Sequence, residues 1–288
     1  MSTTSFAEII MNSGTAEGGS SISWSSEEVN QLMSDDFNAS ANEPSPPGSA
    51  TVTTTLRQAG TAAPAVIKPA YTAPQIIDTN HFSNQPSVNA RAALVMDAQT
   101  GEVLFSKNTN TAYPIASITK LMTAVVISDA RLNMSEKITL QQADFSCSGC
   151  KSSSSTLRAG DSMNRAEALL FALMKSENPA AAALARTYPG GRSAFIAKMN
   201  AKAKELGMNS TRFMESTGLH PGNVASARDL GILVNTASQY GLIRQFSTTP
   251  SYDFNLGYRV LKSNNTNALV RNGGWNINIS KTGFINEA

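Results

Sequence analysis

The spacing of apolar residues changes twice along this chain, and that change limits the fold more than any other feature. "RAALVMDAQTGEVLFSKN", residues 91–108, alternates, reverses at "AQTG" and alternates again, as a β-hairpin does. Gly101 supplies the positive φ that so tight a reversal needs. A helical period then takes over and holds through most of the middle of the chain. Alternation returns only in "YDFNL", "YRVLKS" and "WNINISKTGF" near the end. The order is therefore hairpin, mostly helical middle, strands, with no internal repeat.

Order is expected from about Ala90. Residues 1–88 are rich in Ser, Thr, Ala, Pro, Gly and Asn, as in "NASANEPSPPGSATVTTT". Such a segment buries too little apolar surface to offset its chain entropy and reads as a disordered arm and linker. "SSEEVNQLMS" supports one short helix there at most. Residues 89–288 form the expected domain.

Net charge is +2 over 288 residues, which argues against a nucleic-acid stripe or a polybasic membrane patch. The longest apolar run, "ALLFALM" at 168–174, is far short of the ~20 residues of a membrane span. The first residues show no basic segment followed by an apolar one, so no secretory signal is readable. Taken literally, the chain stays in the cytoplasm; a misplaced start or a lost leader is the competing reading. Cys147 and Cys150 form one Cys-x-x-Cys, open to reading as a redox pair, half of a zinc site or a local disulfide. Zinc needs two further ligands, and His81 and His220 stand apart in sequence, so no metal is expected; "CSGCKSSSS" reads as a surface loop holding a structural pair.

Helices are expected from about Ser117 to Ala130, over "NRAEALLFALMK", "PAAAALART", "GRSAFIAKMNAKAKELGM" and "SARDLGILVNTASQYG". Asn164 with Glu167 three residues on is a capping-box signature. Pro179 suits a first helical turn and Gly207 a helix stop. Ser226 and Asp229 mark the start of the last of these helices.

Three motifs carry candidate chemistry. Ser117 and Lys120 lie three apart at the head of the apolar helix, hence on one face and within reach of each other. A plain helix cap at Ser117 and a surface lysine are the simpler reading. A second Ser-x-x-Lys, Ser148 to Lys151, has no helix after it to hold its lysine. Ser176-Glu177-Asn178 is one of several Ser-x-Asn triplets, others beginning at Ser40, Ser87, Ser106, Ser162 and Ser263; it stands out because it sits in a short break between two helices. Lys281-Thr282-Gly283 ends the last alternating strand, where a glycine lets a ligand backbone come close.

In this order the three motifs resemble those of the serine penicillin-binding proteins. "PIASITKLMTA", "SENPAAAALA", "TGLHPGNVASARDL", "LIRQFSTT" and "ISKTGFINEA" look like the low-molecular-mass D-alanyl-D-alanine peptidases, nearest to their endopeptidase branch. The resemblance runs from about Ala90 to the end. It implies an α+β fold of the β-lactamase/transpeptidase kind, an antiparallel sheet with helices on both faces and a mostly helical subdomain. It implies that Ser117 attacks the carbonyl after a D-alanine and that Lys120 takes its proton. Ser176 would relay that proton, and Asn178 would orient Lys120 and the substrate amide. Lys281, Thr282, Gly283 and Phe284 would hold the substrate, with the backbone N–H groups of Ser117 and Phe284 forming the oxyanion hole. It implies peptidoglycan peptides as substrate, β-lactams as covalent inhibitors, a periplasmic location and no cofactor.

Two alternatives remain. A serine β-lactamase shares the motifs and needs a deacylating base, for which Glu205 offers a superficial match; a solvated helix face explains Glu205 better. A penicillin-binding-like domain that binds without turnover is the other. The resemblance also implies two further strands and a helix after Gly283, whereas the chain ends five residues on. The Lys-Thr-Gly strand is thus expected to lack a ladder neighbour, with unpaired backbone groups and doubtful activity.

Overall fold

The computed structural model describes residues 87–288 and, as backbone only, two short strands before them: β1 (Ala7–Asn12) and β2 (Ile77–Asp78). The other residues of 1–86, most of the arm expected over 1–88, lie outside the described residues. The hairpin follows as β3 (Ala93–Met96) and β4 (Glu102–Lys107). Asp97 shapes its turn by accepting from the N–H groups of Gln99 and Thr100, and Gly101 has φ +76°.

A short β5 (Ala112–Pro114) leads through a single 3₁₀ turn, Ala116–Ile118, into α1 (Thr119–Ala130). Then come β6 (Lys137–Thr139), β7 (Ser162–Asn164) and α2 (Arg165–Leu170), which widens into a π turn over Phe171–Lys175. Next are α3 (Asn178–Arg186), α4 (Gly191–Glu205), β8 (Val224–Ser226), α5 (Ala227–Ala237) and α6 (Gly241–Thr248). The chain closes with β9 (Ser251–Asn255), β10 (Val260–Asn264), α7 (Ala268–Asn272) and β11 (Ile277–Gly283).

The fold is α+β, as expected. Pairing among the described strands is antiparallel except for β2 on β4, and is divided among five small sheets. Local signals act where the sequence puts them. Asn164 and Glu167 form the reciprocal capping box at the start of α2. Ser226 caps α5 by accepting from the N–H of Asp229. Gly207, at φ +77°, ends α4 with N–H groups of Gly207 and Met208 bonded back to Lys204 and Ala203.

Every residue from Thr119 to Ser128 is buried, so α1 is enclosed on all sides and forms the core rod of the domain. It packs against α3, α4, α5 and α6. Each fully buried Leu, Ile or Val on it contributes about 1.5–3 kcal/mol relative to exposure, which is ample to hold a polar residue fixed at its head. Two expectations are corrected. The helix read over 226–241 stops at Ala237, and a further helix not read from the sequence, α6, follows it and packs on β11. The Lys-Thr-Gly strand does not stand without a neighbour: β1 pairs antiparallel with β11, Glu8 opposite Thr282 and Ile9 opposite Lys281. A segment nearly the whole chain away supplies a ladder that no local pattern announces.

Candidate active site

Ser117 lies in the 3₁₀ turn ahead of α1 and caps nothing with its side chain. Its Oγ instead meets Lys120 Nζ at 2.8 Å, which displaces the simple cap reading. Lys120 is fully buried. Its amine also donates to Asn178 Oδ1 and to the backbone carbonyl of Thr217, each at 2.7 Å. Both of those partners only accept. When Lys120 is neutral, its two N–H bonds are therefore taken by Asn178 and Thr217, and the remaining lone pair faces the Ser117 hydroxyl. That is the orientation a general base needs.

Burial pushes the Lys120 pKa down to about 7, and the nearby carboxylates of Glu215 and Glu177 hold it from falling further. Near neutral pH a sizeable fraction of the amine is unprotonated. Lys281, almost as buried, has a pKa held well below the ordinary lysine range by burial and then by the charge of Lys120.

The second motif is presented by backbone strain. The π turn after α2 ends at Ser176, which takes a left-handed conformation with φ +61°. Such turns and such dihedrals concentrate at functional sites. Ser176 Oγ accepts from Lys281 Nζ at 2.8 Å. Glu177 turns the other way and accepts from Ser155 and Thr156, tying the 153–156 segment to the site. Asn178 Nδ2 donates to Ser153 Oγ, which leaves its Oδ1 for Lys120.

β11 closes the arrangement from the other side. A Cβ on Gly283 would lie 3.2 Å from the Ile115 carbonyl and 3.3 Å from the Ser117 nitrogen. The glycine thus admits the protein's own Ser117 turn, where the sequence suggested a ligand backbone. Thr282 Oγ1 bonds Thr266 Oγ1, and Phe284 is exposed at the end of the strand.

The candidate residues thus form two hydrogen-bonded groups: Ser117, Lys120 and Asn178 in one, Ser176 and Lys281 in the other. The charge of Lys120 on Lys281 and the approach of β11 to the Ser117 turn join them. The second Ser-x-x-Lys is not part of this: Lys151 pairs with Glu287 in solvent. Glu205 pairs with Lys202, which also binds Asp129 at the far end of α1. A helix of twelve residues is about 18 Å long, so Glu205 stands at the wrong end to serve Ser117. Cys147 and Cys150 are joined as a disulfide, with Cα atoms 5.3 Å apart. His220, distant in sequence, packs its imidazole against Gly149 between them.

Sequence reasoning missed Thr217 and Gly218. Gly218, at φ +91°, would place a Cβ only 1.9 Å from the Ala116 carbonyl oxygen. That is why the loop can lie directly under the Ser117 turn. The positive φ of a glycine in "ESTGLHPG" was the one local signal available.

An α+β fold with a Ser–Lys pair at the head of a buried helix, a Ser-x-Asn turn and a Lys-Thr-Gly strand defines the penicillin-recognising class of serine acyltransferases. A family model described as D-alanyl-D-alanine carboxypeptidase matches residues 79–288. The chain belongs to that family. A D-alanyl-D-alanine endopeptidase of Escherichia coli is 47% identical over 209 residues, covering 72% of this chain and 66% of the relative. That of Pseudomonas aeruginosa is 46% identical over 211 residues, with 71% and 66% covered. The chain therefore spans just under two thirds of the length of these relatives. Among solved structures, a D-alanyl-D-alanine carboxypeptidase of Mycobacterium tuberculosis superposes with a TM-score of 0.60 at 28% identity, covering 69% of this chain and 74% of that one. Among the described residues, no helix is long and apolar enough to cross a membrane.

Proposed function

We propose that this chain is a serine peptidase that cleaves peptidoglycan stem peptides or cross-links after D-alanine, acting chiefly as an endopeptidase. The observation that carries the reading is the buried Lys120 amine, 2.8 Å from Ser117 Oγ and held there by two pure acceptors. Ser117 Oγ attacks the D-alanyl carbonyl while its proton passes to Lys120 Nζ. The peptide C–N bond then breaks, and the proton reaches the leaving amine through Ser176, giving an acyl-enzyme. Water attacks that ester by the reverse proton path and releases the acid. Lys281 and Thr282 hold the substrate's carboxylate or carbonyl end. The N–H groups of Ser117 and Phe284 receive the oxyanion; one such donor is worth roughly 3–4 kcal/mol of barrier.

The catalytic unit is residues 89–288, with 1–88 as a preceding arm. β-Lactams are expected to acylate Ser117, and the substrate places the protein in the periplasm. The disulfide fits that oxidising compartment. Endopeptidase action is preferred because the relatives at 46–47% identity carry that name, while a carboxypeptidase of Escherichia coli is 29% identical.

Fluorescent penicillin tests the chemistry, and muropeptide mass spectrometry tests the substrate. Labelling mapped to Ser117, absent in Ser117→Ala, together with loss of cross-linked dimers, is the expected outcome. An unlabelled, folded chain would refute the reading. The labelling rate should rise with pH through about 7 as Lys120 loses its proton. A flat profile from pH 5 to 9 contradicts the assignment of Lys120 as base.

A further inference from the structure

The loop from Glu215 to Asn223 is organised around one carboxylate. Glu215 Oε2 accepts from the Thr217 N–H at 2.5 Å. Its Oε1 accepts from the N–H of Gly218 at 2.6 Å, from that of His220 at 3.3 Å and from Asn223 Nδ2 at 3.0 Å. Backbone N–H groups curled around an anion form a nest, a conformation that depends on the charge at its centre. Cys147 and Cys150 bring their sulfurs within 4.8 Å of the same carboxylate.

Two consequences reach Ser117. With its N–H held by Glu215, Thr217 turns its carbonyl onto Lys120 Nζ at 2.7 Å. With its N–H held by the same group, Gly218 lies against the Ala116 carbonyl, beneath the Ser117 turn. Ala116 itself is strained, at φ +45°. Asn223, also bound to Glu215, donates to Thr119 Oγ1 and accepts the Ile115 N–H through its carbonyl, bracketing that turn.

We propose that Glu215 is a positioning residue for acylation: its carboxylate shapes the 215–223 loop so that the Thr217 carbonyl aims the Lys120 lone pair at the Ser117 hydroxyl. Resting on the function proposed above, it adds a group that touches neither substrate nor nucleophile. Without the carboxylate the Thr217 peptide is free to turn. One of the two acceptors that orient the amine is then lost, while Asn178 remains.

Glu215 also acts on Lys120 through its charge. The charged groups facing Lys120 are Glu215 from this loop, Glu177 from the start of α3 and Lys281 from β11. Glu215 raises the Lys120 pKa against the effect of burial. Its removal therefore moves the ascending limb of the pH profile to lower pH, while misaiming lowers the plateau.

The test compares wild type, Glu215→Gln and Glu215→Asp in the full chain. It measures the rate of Ser117 labelling by fluorescent penicillin from pH 5 to 9, with thermal unfolding of each. For Glu215→Gln the plateau should fall roughly ten- to a hundredfold, the scale of an ångström-sized misplacement. Its ascending limb should shift to lower pH, and Glu215→Asp should restore the limb more fully than the plateau. A plateau loss with the limb unmoved, or a loss matched by the unfolded fraction, overturns the proposal. ¹³C-lysine NMR of the Lys120 titration in the unreacted protein is the second measurement and needs no turnover. A lower midpoint in Glu215→Gln supports the coupling even where wild type is unlabelled and the functional reading itself has failed; an unchanged midpoint overturns it.

Discussion

Lys120→Ala is expected to slow acylation of Ser117 by about 10³–10⁴-fold, the range a positioned general base contributes. The geometry gives the reason. Ser117 Oγ has one amine at 2.8 Å, and that amine is fully buried, with its remaining hydrogens committed to Asn178 and Thr217. Among the described residues, truncation removes the one side chain shown within bonding distance of the hydroxyl. Lys120→Arg separates base from charge. A guanidinium keeps the cation but holds its proton at any working pH, and its planar fork does not fit three divergent acceptors. It should therefore be about as slow as alanine. Stopped-flow labelling with fluorescent penicillin measures both rates, and circular dichroism shows whether each variant folds. An arginine variant within tenfold of wild type would mean that the lysine serves as a cation rather than a base.

The second large effect is structural. Gly218→Ala should lower stability by about 3 kcal/mol or more, since an L side chain at φ +91° is strained and its Cβ would fall 1.9 Å from the Ala116 carbonyl oxygen. For a domain of this size that is a fall in Tm of about 6–12 °C. The same clash pushes the loop off the Ser117 turn and drags the Thr217 carbonyl from Lys120. Labelling should thus drop further than unfolding explains. Gly257→Ala is the control: its φ is also positive at +89°, but no atom lies within 4 Å of the added methyl. It should cost only the backbone strain and leave labelling intact. Equal losses in the two variants would show that the close approach at Gly218 carries no weight.

Much of the scaffold was legible because it is made locally. The capping box at Asn164 and Glu167, the hairpin turn at Gly101 and the Gly207 stop each join residues a few positions apart. A chain cannot form those helices and turns without making these bonds, so the pattern predicts them. α6 was missed because it is only eight residues long and Tyr240 ahead of it makes no side-chain cap, so no local start signal announces it. Glu215 was missed for a different reason: an acidic residue in a loop is ordinarily a solvated one, and only the curled backbone shows otherwise.

From its sequence alone this chain determined the order of its elements, the buried helix that carries Ser117 and Lys120, and the three motifs with their residue types. Tertiary structure decided which of them meet. Lys120 reaches Asn178 across 58 residues and Thr217 across 97, and Lys281 reaches Ser176 across 105. β1 joins β11 from the opposite end of the chain. Contacts at such separations are set by how the whole core packs. No local propensity encodes the loss of water that brings the Lys120 pKa down to about 7.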